Sequence, residues 1–108
     1  MGHNRHHAIV VTSWDVEKLK IVHEYAKNIF AQGCSEIVSS HWNSYDSFFI
    51  APDGSKEGWP ESEKGDSDRE FFIDFIRKQV YEDGSSSIRF VELFYGDDNG
   101  ESKIVTHN

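Results

Sequence analysis

Ala8-Ile9-Val10-Val11-Thr12-Ser13-Trp14-Asp15-Val16-Glu17-Lys18-Leu19 is the stretch that decides the fold, because its period changes in the middle. Residues 8–12 are small or β-branched, with apolar side chains on both faces. That is the pattern of a central strand covered on both sides. From Val16 onward the apolar residues recur at helical spacing: Val16, Leu19, Val22, Ala26, Ile29 and Phe30 form one stripe, and Lys18, Lys20, Glu24, Lys27 and Asn28 lie off it. Ser13 reads as the N-cap, with Asp15 and Glu17 in the first turn, where the helix dipole favours anions. Gly33 reads as the C-terminal stop. The expectation is a strand followed at once by a helix over roughly 14–32.

The rest of the chain extends this unit. Glu36 to Trp42 reads as a strand, Asn43-Ser44-Tyr45-Asp46 as turn chemistry, and Ser47 to Ala51 as the returning strand of a hairpin. Residues 52–66 hold both prolines, three glycines and Trp59, and read as a long loop. Ser67 and Glu70 match a capping box, opening a second helix over roughly 68–82 that ends at Gly84. Ile88 to Tyr95 reads as the longest strand, and Lys103 to His107 as a final one, joined by a turn at Gly96–Gly100.

The order β-α-β-β-α-β, plus a C-terminal strand, predicts a single α+β domain over 1–108. Its arrangement is the ferredoxin-like split βαβ sandwich, with two helices on one face of an antiparallel sheet and a flexible stretch over 1–6. The pattern raises a packing question. Strand 88–95 is apolar on both faces, and Ile88, Phe90 and Phe94 need cover that helices on one side do not obviously give. A second subunit provides it in one reading, which makes the chain a homodimer built through this strand; the final strand or the long loop provides it in the other.

Composition narrows the class. Apolar residues make up 37% and aromatics 14%, enough to exclude a disordered chain. No apolar run reaches the ~18 residues of a membrane span, and the start lacks the apolar core of a signal peptide. The one cysteine, Cys34, fits a reducing compartment, so the expected location is cytoplasmic. The net charge is −8, and residues 53–108 alone carry fourteen acids against seven bases. This argues against a nucleic-acid backbone or a membrane as partner.

No catalytic signature emerges, so the expected catalytic and metal sites are none, and the expected cofactor is none. His3, His6 and His7 cluster near the start, but His6 and His7 are adjacent and point opposite ways on a strand, and no second histidine is placed on a helix with His23. Paired His-x-Thr/Ser motifs are absent around His7 and His41. Cys34 follows a helix rather than opening one, which leaves its thiol unactivated; pairing with His41 is the one route to a nucleophile. Asp97-Asp98-Asn99-Gly100-Glu101 lacks the spacing of a calcium loop, and Gly54-Ser55-Lys56-Glu57-Gly58 lacks that of a phosphate loop. Aromatics carry the sharper signal. Trp42 and Tyr45 flank the hairpin turn, and Trp59 sits in the long loop near Lys56. Exposed aromatics beside a cation make contact surfaces, so Trp59 and Lys56, with Trp42 and Tyr45 as neighbours, are the candidate ligand- or partner-binding residues.

Several stretches resemble a group of small bacteriophage-encoded proteins without assigned activity. They are His6 to Trp14, Asp53 to Trp59, Gly65-Asp66 with Arg69 and Phe72, and Tyr95-Gly96-Asp97-Asp98. The resemblance implies a phage product in the host cytoplasm, acting on a host protein or a small molecule, and it assigns no functional residue. Three functions compete: a non-catalytic binding module, an acidic DNA mimic with carboxylates in two ordered rows, and a small hydrolase or nucleotide-processing enzyme using His41, Cys34 or the acids near Asp66.

Overall fold

The computed structural model describes residues 6–40, 42–52, 60–96 and 100–108, with residues 60–62 as backbone only. The elements are β1 (His6–Ser13), α1 (Val16–Phe30), β2 (Val38–Ser39), β3 (Asp46–Ile50), α2 (Pro60–Arg77), β4 (Ile88–Tyr95) and β5 (Lys103–His107). They form one five-stranded sheet in the order β2-β3-β1-β4-β5, and every neighbouring pair is antiparallel. The path from β1 through α1 to β2 skips over β3, and the path from β3 through α2 to β4 skips over β1. The fold is α+β, the strand order is that of the split βαβ unit, and β5 is added beyond β4.

Strand periodicity sorts the side chains. On one face Ile9 lies between Ile50 and Glu92, Val11 between Phe48 and Phe90, and Ser13 between Asp46 and Ile88. Both helices pack on this face. Leu19, Val22 and Ala26 of α1 and Phe72 and Ile76 of α2 are fully buried against it. The helices also grip each other, with Tyr25 stacked on Phe75 at 3.8 Å and Phe30 edge-on to Phe72 at 5.6 Å. His23 belongs to this core: its Nε2–H donates to the Ser35 carbonyl at 2.8 Å and its ring meets Phe48.

The other face carries Ala8, Val10 and Thr12 of β1, Phe49 of β3, and Arg89, Val91, Leu93 and Tyr95 of β4. Among the described residues no element packs over it. This corrects the cover expected for β1 and β4. Ile88, Phe90 and Phe94 need no second subunit, because they lie on the helix side and are buried within the chain. Among the described residues, the face without a covering element is the opposite one.

Local corrections have local causes. The N-cap of α1 is Asp15, whose carboxylate accepts from Lys18 N–H; Ser13 completes β1 instead, and its hydroxyl accepts from Asp15 N–H. The helix ends at Phe30, and the positive-φ residue at its close is Ala31, ahead of Gly33. β2 shrinks to two residues, and ahead of it Ser35 pairs irregularly with Phe49: its N–H donates to the Phe49 carbonyl, and its hydroxyl accepts the Phe49 N–H. The capping box at Ser67 and Glu70 does not form. α2 begins at Pro60, so residues 60–66 of the expected loop are helical. Proline is well suited to a first helical turn, and the i,i+4 pair Lys64–Asp68 supports the added turns. Residues 53–59 lie outside the described residues.

Candidate functional site

The register puts a set of aromatics at one end of the sheet. Ser13 is paired with Asp46, so Trp14 and Tyr45 leave the sheet side by side in sequence terms, one ending β1 and the other preceding β3. Trp42 and Tyr45 flank a turn in which Asn43 and Ser44 have φ of 62° and 57°. Two consecutive positive φ values are what a type I′ hairpin turn requires, and Asn tolerates them better than most residues. The turn is pinned on one side by Ser40. Its hydroxyl donates to the Trp42 carbonyl at 2.6 Å and accepts from Trp42 N–H at 3.0 Å, and Ser40 N–H donates to the Tyr45 carbonyl at 2.9 Å. On this pinned turn Trp42 is 79% exposed and Tyr45 44% exposed, so both rings are displayed rather than packed.

Trp14 adds a third exposed ring, at 54%, and stacks on Tyr81 at 6.4 Å. Tyr81 follows α2 and is fixed twice. Its hydroxyl donates to Asp15 Oδ2 at 2.6 Å, and Lys18 Nζ sits 4.7 Å from its ring centroid. The Tyr81 hydroxyl, and then the Lys18 amide, hold the Asp15 carboxyl below its usual range. The same bond to Asp15 raises the Tyr81 hydroxyl above its own range. Thus the N-terminal turn of α1 and the tail of α2 are locked together beneath Trp14.

The structure therefore places Trp42 and Tyr45 on the turn ahead of β3, at the same end of the sheet at which Trp14 leaves β1 and meets Tyr81. Lys56 and Trp59, the other two candidate residues, lie outside the described residues. The residues that bracket them are at the far end of the sheet. Pro52 follows Ile50, which pairs with Ile9, and α2 runs from Pro60 past Glu92 and then past Phe90 toward the aromatic end.

The nucleophile reading finds little support. Cys34 is buried, and desolvation pushes its thiol up to about 11, so the thiolate is scarce near neutral pH. His41 lies outside the described residues. Asp66, one of the acids offered as a catalyst, is ion-paired with Arg69.

A buried polar cluster was not anticipated. His7 Nδ1 is 3.1 Å from Glu92 Oε2, and Arg69 Nε is 3.6 Å from the same oxygen. Arg69 in turn holds Asp66. Glu92 shares the helix-facing side with Ile88, Phe90 and Phe94, so the signal was legible as one acid in an otherwise apolar alternation. A buried carboxylate is tolerated when opposite charges compensate it. Here the pairing ties β1, β4 and α2 together. Beside it a groove of about 420 Å³ runs between Arg77, Asp74 and Thr106. An imidazole oriented by a carboxylate is also the arrangement a general base needs, but the cluster's geometry is fully accounted for as a tie between elements.

Among the described residues, no group of three or more His, Cys, Asp or Glu side chains is placed to hold a metal ion. No described helix is long and apolar enough to cross a membrane. Comparison with family models, curated proteins and solved structures gives no match.

Proposed function

We propose that this chain is a non-catalytic binding module that engages a partner protein through the aromatic end of its sheet. Trp42 and Tyr45 are the leading contacts, and Trp14 is a third. The observation that carries the reading is the 79% exposure of Trp42 on a turn whose backbone is held by Ser40. A large ring held out on a rigid turn costs little conformational entropy to bind, and Trp and Tyr dominate the energetics of protein contacts. Small-molecule sites are concave and enclose most of their ligand, which rings this exposed do not do. If the chain is a bacteriophage product, as its sequence resemblance implies, that partner is a protein of the host. The DNA-mimic reading has less support: it needs two ordered rows of carboxylates, and α2 supplies one, through Glu63, Glu70 and Asp74.

Capture from bacterial lysate with the wild-type chain and with Trp42→Ala, followed by mass spectrometry, tests this. The partner identified with wild type should bind Trp42→Ala at least about 30-fold more weakly, the scale of an aromatic hot spot near 2 kcal/mol. The melt should move by less than about 1 kcal/mol, as for a surface change. Equal binding by the two proteins sinks the proposal.

A further inference from the structure

The bare sheet face is a second surface, separate from the aromatic end, and its chemistry is unlike the rest of the chain. Its residues form rows across the strands. Phe49, Val10 and Val91 make one row, continued by His107; Ala8, Leu93 and Ile104 make the next. Phe49 is 44% exposed and Ile104 58% exposed, while Val10, Val91 and Leu93 between them are partly exposed and Ala8 is buried, so the rows are open at their outer strands. Next to them Thr12 and Ser47 join hydroxyls at 2.8 Å, Val38 pairs with Ser47, and Arg89 pairs with Thr12. Tyr95 and His6 close the far side. A groove of about 410 Å³ at the β4–β5 edge is lined by Leu93, Tyr95 and Ile104 of this face together with Phe94 and Lys103 of the helix side.

Charge identifies the occupant. The chain carries −8, yet the strand residues on this face include no Asp or Glu; Asp46 and Glu92 both point to the helix side. A basic partner would be drawn to the acids of α2, on the other side of the molecule. An acidic partner would find Arg89 as the one permanent charge among these residues. A second copy of the same acidic chain, by contrast, meets no carboxylate here. A two-fold contact requires a patch compatible with itself, and a nearly neutral apolar sheet face satisfies that.

Size agrees. With strands about 4.8 Å apart and about 3.3 Å per residue, the five strands project a face of roughly 450 Å², so two copies bury roughly 900 Å². That is close to the ~1,000 Å² at which specific interfaces begin, which makes the contact a weak, concentration-dependent one. We infer that the bare face is a homodimer interface, with two sheets packed face to face. The helices lie outside, and the Trp42 turn projects from the end of each sheet, free for a partner.

Sedimentation equilibrium of the full chain over a concentration series tests this. The wild type should approach twice the 12.4 kDa of a single chain at tens of micromolar. Added salt should tighten the dimer, because it screens repulsion between acidic chains while leaving an apolar contact intact. Phe49→Glu and Val91→Glu each place two like charges in the interface and should raise the dissociation constant at least about 100-fold. Phe71→Glu, on the exposed side of α2, should leave it unchanged. Phe49→Glu decides the matter if Val91→Glu fails to fold, since Phe49 is the more exposed. Three results overturn the inference: a monomer at hundreds of micromolar, which leaves the face to a different protein; a dimer that survives Phe49→Glu; or a dimer loosened by salt.

Discussion

The two faces of this sheet are made from the same strands by alternate residues, yet they solve opposite problems. The helix side buries Ile9, Val11, Phe48, Ile88 and Phe90 under two helices, and it also holds the Glu92 carboxylate between His7 and Arg69. The bare side is apolar along its centre, and none of its strand residues is acidic. A polar residue thus sits where the chain is most enclosed, and apolar residues sit where it is open. Hydrophobicity alone does not separate inside from outside here; the presence of helix cover and of a compensating partner does.

The contrast predicts unequal costs for equal substitutions. Phe72→Ala, in the enclosed core, should lower stability by about 3–5 kcal/mol in a denaturant melt. Phe49→Ala, measured dilute enough for a single chain, should cost less than about 1 kcal/mol. Similar losses for the two would mean that something covers the bare face within the chain.

Glu92→Ala comes next. It leaves His7 and Arg69 without the carboxylate between them, and breaking such a buried pair should cost about 3 kcal/mol. Chemical denaturation would show it, and a loss below about 1 kcal/mol would reclassify the cluster as solvated.

The smallest effect is at the aromatic end. Asp15 titrates below its usual range, so its contribution to stability is complete above the unfolded value near about 4 and fades as pH falls through the folded value. Tyr81→Phe removes the main cause. The Asp15 midpoint, followed by carboxyl NMR, should rise toward the ordinary value, and the acid-side loss of stability should shrink. An unmoved midpoint would assign the shift to the backbone amides of Lys18 and Glu17 and the Lys18 charge instead.

Much of the architecture was legible because it rests on periodicity. The alternation in β4 and the stripe of α1 depend on residues that repeat many times, so single misreadings do not matter. The end signals were less secure. Ser13, Ser67 and Glu70 each have the right side chain for a cap, but β1 pairing claimed Ser13, and Pro60 with its charged first turns carried α2 past Ser67. Which face of β4 would lie bare depends on which side the helices take, and a strand apolar on both faces does not reveal that. At the site, the turn residues Asn43 and Ser44 were readable and so was the position of Trp42. Trp14 joining Tyr81 was not, because the two are distant in sequence and meet only through tertiary packing.

The position of β1 has a further consequence for synthesis. It is made first, yet it lies between β3 and β4 and hydrogen-bonds to both. Ser13 and Tyr95 are separated by about 80 residues, which a ribosome adds in roughly 4–16 s. Throughout that interval one edge of Ile9-Val10-Val11 has no native neighbour. Long-range pairing of this kind slows folding and leaves a sticky strand exposed on the nascent chain. The emerging protein therefore depends on early packing of α1 against β1, or on a chaperone, to keep its first strand from pairing with a neighbouring chain before β4 arrives.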